Sequence, residues 1–102
     1  MNNKKRGELL NIAIFTEDSS VLEAWQKEQT RVLGPLNQKF AEAKAKGQEV
    51  PALVADQREE AMFIQSICNE VRILRRDGVN QPDVDLFEHY GAERPEVAAP
   101  AA

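Results

Sequence analysis

Two stretches of near-equal length carry apolar residues at steps of three and four, and only Gly47–Val50 parts them. The first runs from Ser20 to Lys46 through apolar Leu22, Trp25, Val32, Leu36, Phe40 and Ala43, with the tolerant Gln29 among them. The second runs from Pro51 to Arg76 through Leu53, Val54, Ala61, Ile64, Ile67, Cys68, Val71 and Leu74. Such spacing keeps one face of an α-helix apolar. About 26 residues at 1.5 Å each make a rod of roughly 39 Å. A connection as short as Gly47–Val50 sends the second rod back along the first. The pattern predicts an all-α chain built on an antiparallel helical hairpin.

Local signals agree with that reading. Ser20-Val21-Leu22-Glu23 has the form of a capping box, with Ser20 as the cap and Glu23 reaching back to it. Lys44, Lys46 and Gly47 suit a helix end, and Pro51 suits the first position of the next helix. Asp56, Glu59 and Glu60 come early in the second helix, while Arg72, Arg75 and Arg76 come late, before Gly78. The helix dipole favours that order. Gly34-Pro35 interrupts the first helix, since proline lacks a donor and restricts the residue before it. The apolar stripe keeps its phase across the pair, which predicts a kink near Pro35; two shorter helices meeting there are the alternative.

An antiparallel register places Ala43 beside Leu53 and Val54, Leu33 opposite Ile64, and Trp25 near Val71. It also sets Lys39, Lys44 and Lys46 opposite Asp56, Glu59 and Glu60.

The chain then divides into four parts: a basic arm and apolar segment over 1–18, the hairpin over 19–78, a loop and short helix over 79–92, and a tail over 93–102. Leu9 to Phe15 reads as a helix, because one chain offers no strand partner for it; a strand there would need another molecule. Pro82 to Tyr90 reads as a short helix with Val84, Phe87 and Tyr90 on one side and Gly91 as its stop. The Ala/Pro tail has only Val97 as a bulky anchor and is expected to be disordered when alone.

Thirteen Lys and Arg against seventeen Asp and Glu leave a net charge of −4, which argues against general nucleic-acid binding. One cysteine excludes an internal disulfide. The basic start followed by Leu9–Phe15 resembles a secretion signal, but Asn11 interrupts the short run and no small-residue cleavage site follows. It is also far below the ~20 apolar residues that span a bilayer. A cytoplasmic location, or one within a virion, is therefore expected.

Groups for chemistry are few. Asp85 and His89 are four apart and would share a helix face, yet two ligands on a short helix make a poor metal site, and a solvated polar face is the better explanation. Cys68 lies inside an apolar stripe, where a thiol behaves as a small hydrophobe. The five glycines are scattered and form no phosphate loop. No catalytic, metal or cofactor-binding residue is assigned, and no enzyme activity is expected.

Surfaces are the better lead. Met62, Phe63 and Ile73 widen the second stripe beyond what one partner helix covers, and Leu10, Ile12 and Phe15 lie just outside the hairpin. These six are candidate partner-binding residues, unless the terminal segments fold back over them to complete a bundle. Lys4, Lys5, Arg6, Arg72, Arg75 and Arg76 form two basic clusters that could reach nucleic-acid phosphates. The function expected is a non-enzymatic assembly protein that binds protein partners or self-associates, such as a small component of a phage or other multi-subunit particle. A regulator of one target protein and a nucleic-acid accessory protein are the alternatives.

Overall fold

The structure is a computed structural model and describes residues 1–78 and 85–95. Four helices follow in order: α1 (Asn3–Phe15), α2 (Ser19–Ala45), α3 (Ala52–Arg76) and α4 (Leu86–Tyr90). Among the described residues there is no strand. The helices α2 and α3 pack along each other as an antiparallel hairpin, as their matched apolar stripes require. The expected register holds at its polar contacts: Thr30 meets Gln65 and Asn37 meets Arg58.

The ends of α2 differ from the capping box. Asp18 is the cap, and its carboxylate accepts from the Ser20 backbone N–H at 2.9 Å and from the Ser20 hydroxyl at 2.7 Å. A full negative charge is a stronger acceptor than a hydroxyl at the positive end of a helix. Glu23 does not reach back; its carboxylate faces Lys27 at 3.4 Å and Arg72 at 3.8 Å. At the other end Gly47 takes φ 66°, and the Gln48 N–H closes on the Ala43 carbonyl at 2.9 Å. That is the left-handed glycine stop. Pro51 sits one residue before α3, in the cap position.

Pro35 lies inside α2, which continues through it as one helix to Ala45. The division into two shorter helices does not occur. Proline leaves the Arg31 carbonyl without its usual donor, and the apolar contacts on either side hold the helix together.

Leu9–Phe15 is helical, and the helix extends back to Asn3 through the basic arm. Asn2 caps it, accepting from the Lys5 backbone N–H at 2.7 Å. This α1 runs beside α3 in the same direction. Arg6 meets Glu59 at 2.8 Å near one end, and Arg75 donates to the Ile14 carbonyl at 3.1 Å near the other. Lys5 lies 3.8 Å from Glu60. Glu59 and Glu60 of early α3 are thus paired with α1, not with the lysines of the hairpin tip, because α1 brings its cations closer.

The short last helix begins later than Pro82: Asp85 caps it, and Leu86 is its first residue. The start expected at Pro82, and Val84 with it, lie outside the described residues. Gly91 ends α4 at φ 62°, where the stop was expected. Residues Glu93–Pro95 are packed onto the body, although the tail was expected to be disordered. The Glu93 N–H donates to the Asn3 carbonyl at 3.0 Å, and Arg94 binds Asp85 at 2.6 Å while lying over the Phe87 ring. The strand of tail passes so close to α1 that a Cβ on Gly7 would collide with the Glu93 carbonyl. The rest of the tail lies outside the described residues.

The core is not shared evenly along the hairpin. Leu10, Ala13, Leu22, Ile67, Cys68 and Val71 are fully buried in one cluster with Leu9, Ile64, Leu86 and Phe87. All four helices contribute to it. Leu33, Leu36, Ala43 and Val54, toward the tip, are buried outside that cluster. The molecule therefore has a four-helix body and a two-helix projection, within overall dimensions of 47 × 27 × 23 Å.

Candidate interaction surface

The hairpin has two unlike faces. On one, Glu23, Thr30 and Asn37 of α2, each seven residues apart, meet Arg72, Gln65 and Arg58 of α3, also seven apart. Gln65 donates to the Thr30 hydroxyl and Arg58 to the Asn37 side-chain carbonyl, both at 2.7 Å. Arg72 also donates to the Gln26 side chain at 2.9 Å. Because seven residues are almost two helical turns, these contacts form a straight polar ladder. Its signal was present in the sequence as two polar heptads in opposite order, which an apolar-stripe reading passes over.

The other face is a groove. Near the body it is lined by Gln29, Val32, Pro35 and Leu36 of α2 and by Gln57, Glu60, Ala61 and Ile64 of α3, around a volume of about 440 Å³. Farther out, a second hollow of about 220 Å³ is lined by Lys39, Glu42, Ala43, Lys46, Gln48, Glu49, Pro51 and Val54. Gln29, Leu36 and Ala43 are seven apart, as are Val32, Lys39 and Lys46, so both hollows lie on one face.

Leu53 of α3 lines neither hollow but is uncovered as well. It shares a row of α3 with Glu60, Ile67 and Leu74, at intervals of seven. In the body Ile67 is fully buried with Leu10 and Ala13 of α1, and Lys5 lies over Glu60. Past Glu60 α1 has ended, and Leu53 is 67% exposed. An apolar-face position by pattern is a surface position in fact, because its covering helix is too short. Val32, in the α2 wall of the groove, is 39% exposed.

The six partner-binding candidates separate. Leu10 is fully buried in the core, so it holds α1 in place and cannot meet a partner. Phe63 is half-buried against the core, edge-on to Tyr90 with ring centroids 5.5 Å apart, and Ile73 is half-buried. Ile12, Phe15 and Met62 remain exposed. Ile12 and Phe15 lie three apart on the outer side of α1, while Met62 lies on α3. Of the three candidates on the hairpin, Phe63 is the one seen to be covered by a terminal segment, through Tyr90.

The basic residues are largely engaged. Lys5 and Arg6 pair with Glu60 and Glu59. Arg72 joins the ladder, and Arg75 donates to the carbonyls of Ile14 and Glu17 at the end of α1. Arg76 lies 3.3 Å from Asp77. Lys4 is exposed. A guanidinium already holding carbonyls or carboxylates has fewer donors left for phosphate.

Cys68 is fully buried, and desolvation pushes its thiol up to about 11, the Arg72 charge opposing this only in part. It fills core space, as expected. Asp85 is occupied by Arg94 and by the Glu88 backbone N–H, and these bonds hold its carboxyl below the ordinary range. His89 stacks edge-on against Tyr90. Among the described residues no group of three or more potential metal ligands occurs, and no helix is long and apolar enough to cross a membrane. Compared with family models, curated proteins and solved structures, the chain matches none.

Proposed function

We propose that this chain is a non-enzymatic assembly protein that binds other proteins, or a second copy of itself, through the uncovered face of its hairpin. The observation that carries this reading is the change along one row of α3, from buried Ile67 under α1 to exposed Leu53 beyond it. A helical hairpin normally buries such a row against a third helix, and apolar surface left facing water favours association. The Cys68 thiol is buried in the core, which keeps it from any substrate. Placement in a virion or in any other particle is not needed by this reading.

The test is a photo-cross-linking residue placed singly at Leu53, at Val32, and at Lys27 as a control on exposed α2. Cross-linking in the source cells should give one defined adduct, a dimer or a single partner, from the first two positions and none from the third. Equal or absent adducts at all three positions would remove the proposal.

A further inference from the structure

We propose that a hollow at the body end of the polar ladder, lined by three arginines, binds a compact phosphate dianion such as the end of a phosphate monoester. This hollow shares no lining residue with the groove, so its fate and that of the interaction face are separate.

The ladder dictates where the hollow falls. Its rungs join Glu23 to Arg72, Thr30 to Gln65 and Asn37 to Arg58, so the next turn brings Ser19 opposite Arg76. A serine is too short to cross to a guanidinium, and a volume of about 480 Å³ stands open there. It is lined by Ser19 of α2 and by Asn69, Arg72, Ile73, Arg75 and Arg76 of α3. Asn69, Arg72 and Arg76 follow at steps of three and four, which puts them on one helix face.

Charge selects an anion. No carboxylate lines the hollow. Arg75 has no ion pair among the described residues; the carbonyls of Ile14 and Glu17 fix its guanidinium without neutralising it. Arg72 stands 3.8 Å from Glu23, and Arg76 lies 3.3 Å from its chain neighbour Asp77. The three guanidiniums donate four hydrogen bonds within the chain, fewer than the N–H groups they carry. The start of α2 is already capped by Asp18, so the guanidiniums supply the attraction.

The number of forks and the surrounding charge narrow the anion. Several guanidiniums around one hollow suit the oxygens and the charge of about −2 on a phosphate monoester better than a single carboxylate. A nucleic-acid strand fits poorly, because Asp18, Glu23 and Asp77 adjoin the hollow and the chain carries a net charge of −4.

The probes are inorganic phosphate, a peptide carrying one phosphoserine, its unphosphorylated form, and a short DNA duplex. Each is titrated at constant ionic strength into the isotopically labelled full chain, with NMR of the arginine Nε–H groups and the backbone amides. Phosphate and the phosphoserine peptide should saturably shift Arg72, Arg75, Arg76 and Ser19, and the unphosphorylated peptide should not. Equal affinity for the two would identify a small phosphate compound as the ligand. Tighter binding of the phosphopeptide would identify a modified protein; both results support the site. Arg76→Gln, at an exposed side chain where folding is not at risk, should weaken phosphate binding about tenfold. Arg31→Gln, on exposed α2, should leave it unchanged.

Shifts of equal size at Lys4, Lys39 and Lys46 would show general attraction of counterions and overturn the proposal. The absence of any saturable shift, or an Arg76→Gln variant that binds phosphate as the unsubstituted chain does, would do the same. DNA that saturates the arginine signals at a lower concentration than either phosphate probe would replace the compact anion with a nucleic-acid surface.

Discussion

At the scale of single residues, burial and backbone geometry explain which positions can change. Gly34 and Gly7 are both helical glycines, but they have opposite surroundings. Beyond its chain neighbours and its own helix backbone, a Cβ on Gly34 meets nothing within 4 Å, whereas one on Gly7 strikes the Glu93 carbonyl. Gly34→Ala should therefore change stability little, because the lower entropy cost of ordering alanine is offset by its Cβ crowding the Pro35 ring. Gly7→Ala should lower it by about 1–3 kcal/mol as overpacking displaces the tail. Chemical denaturation of the two variants checks the pair, and a Gly7→Ala variant as stable as the unsubstituted chain would refute the close crossing. Cys68 gives a second residue-scale expectation. With its thiol buried and pushed up to about 11, alkylation at pH 8 should proceed only as fast as the chain opens. Labelling at the rate of a free thiol in the native protein would contradict the core placement.

At the scale of elements, α4 is too short to persist alone and depends on what its ends hold. Asp85 caps it and binds Arg94, and those bonds lower its carboxyl from the ordinary value. A lowered folded value means that the stabilisation is present above the unfolded carboxylate range and is lost as pH falls through the lowered value. Side-chain NMR signals of Phe87 and Tyr90 should thus show α4 loosening in acid. In Asp85→Asn the same signals should be nearly independent of pH through that window. Wild-type signals that do not move in acid would show that α4 is held by Leu86 and Phe87 alone. The element-level reading from sequence was good for α2 and α3, where apolar residues repeat over six or seven turns. It was poorer for α1, whose helix begins six residues before the apolar run, because Asn2 and the basic arm supply the cap and first turns.

At the scale of the whole molecule, the body and the projection should differ in stability although they share two continuous helices. Ile67 and Val71 are fully buried in a core to which four helices contribute, while Leu36, Ala43 and Val54 are covered only along the hairpin seam. Native-state hydrogen exchange should find the amides around Ile67 and Val71 opening only with global unfolding, and those around Ala43 and Val54 opening at lower free energy. Ile67→Ala should cost about 2–5 kcal/mol, and Leu36→Ala distinctly less, because the open groove lets the smaller side chain be hydrated. Equal protection along the full length of α3 would refute the division.

The sequence by itself determined the hairpin: two long apolar stripes, a short polar connection ending in glycine, and the charge order within each helix are local properties that need no distant contact. The stops at Gly47 and Gly91 are local in the same way. Only the tertiary structure decided where α1 ends along α3, and hence that Ile67 is buried while Leu53, in the same row, is 67% exposed. It also decided that Glu59 and Glu60 pair with Arg6 and Lys5, leaving Lys39 and Lys46 without ion pairs among the described residues. The physical reason is the same for both. A periodic stripe states which side of a helix avoids water, but the length of the element that covers it is set by another part of the chain.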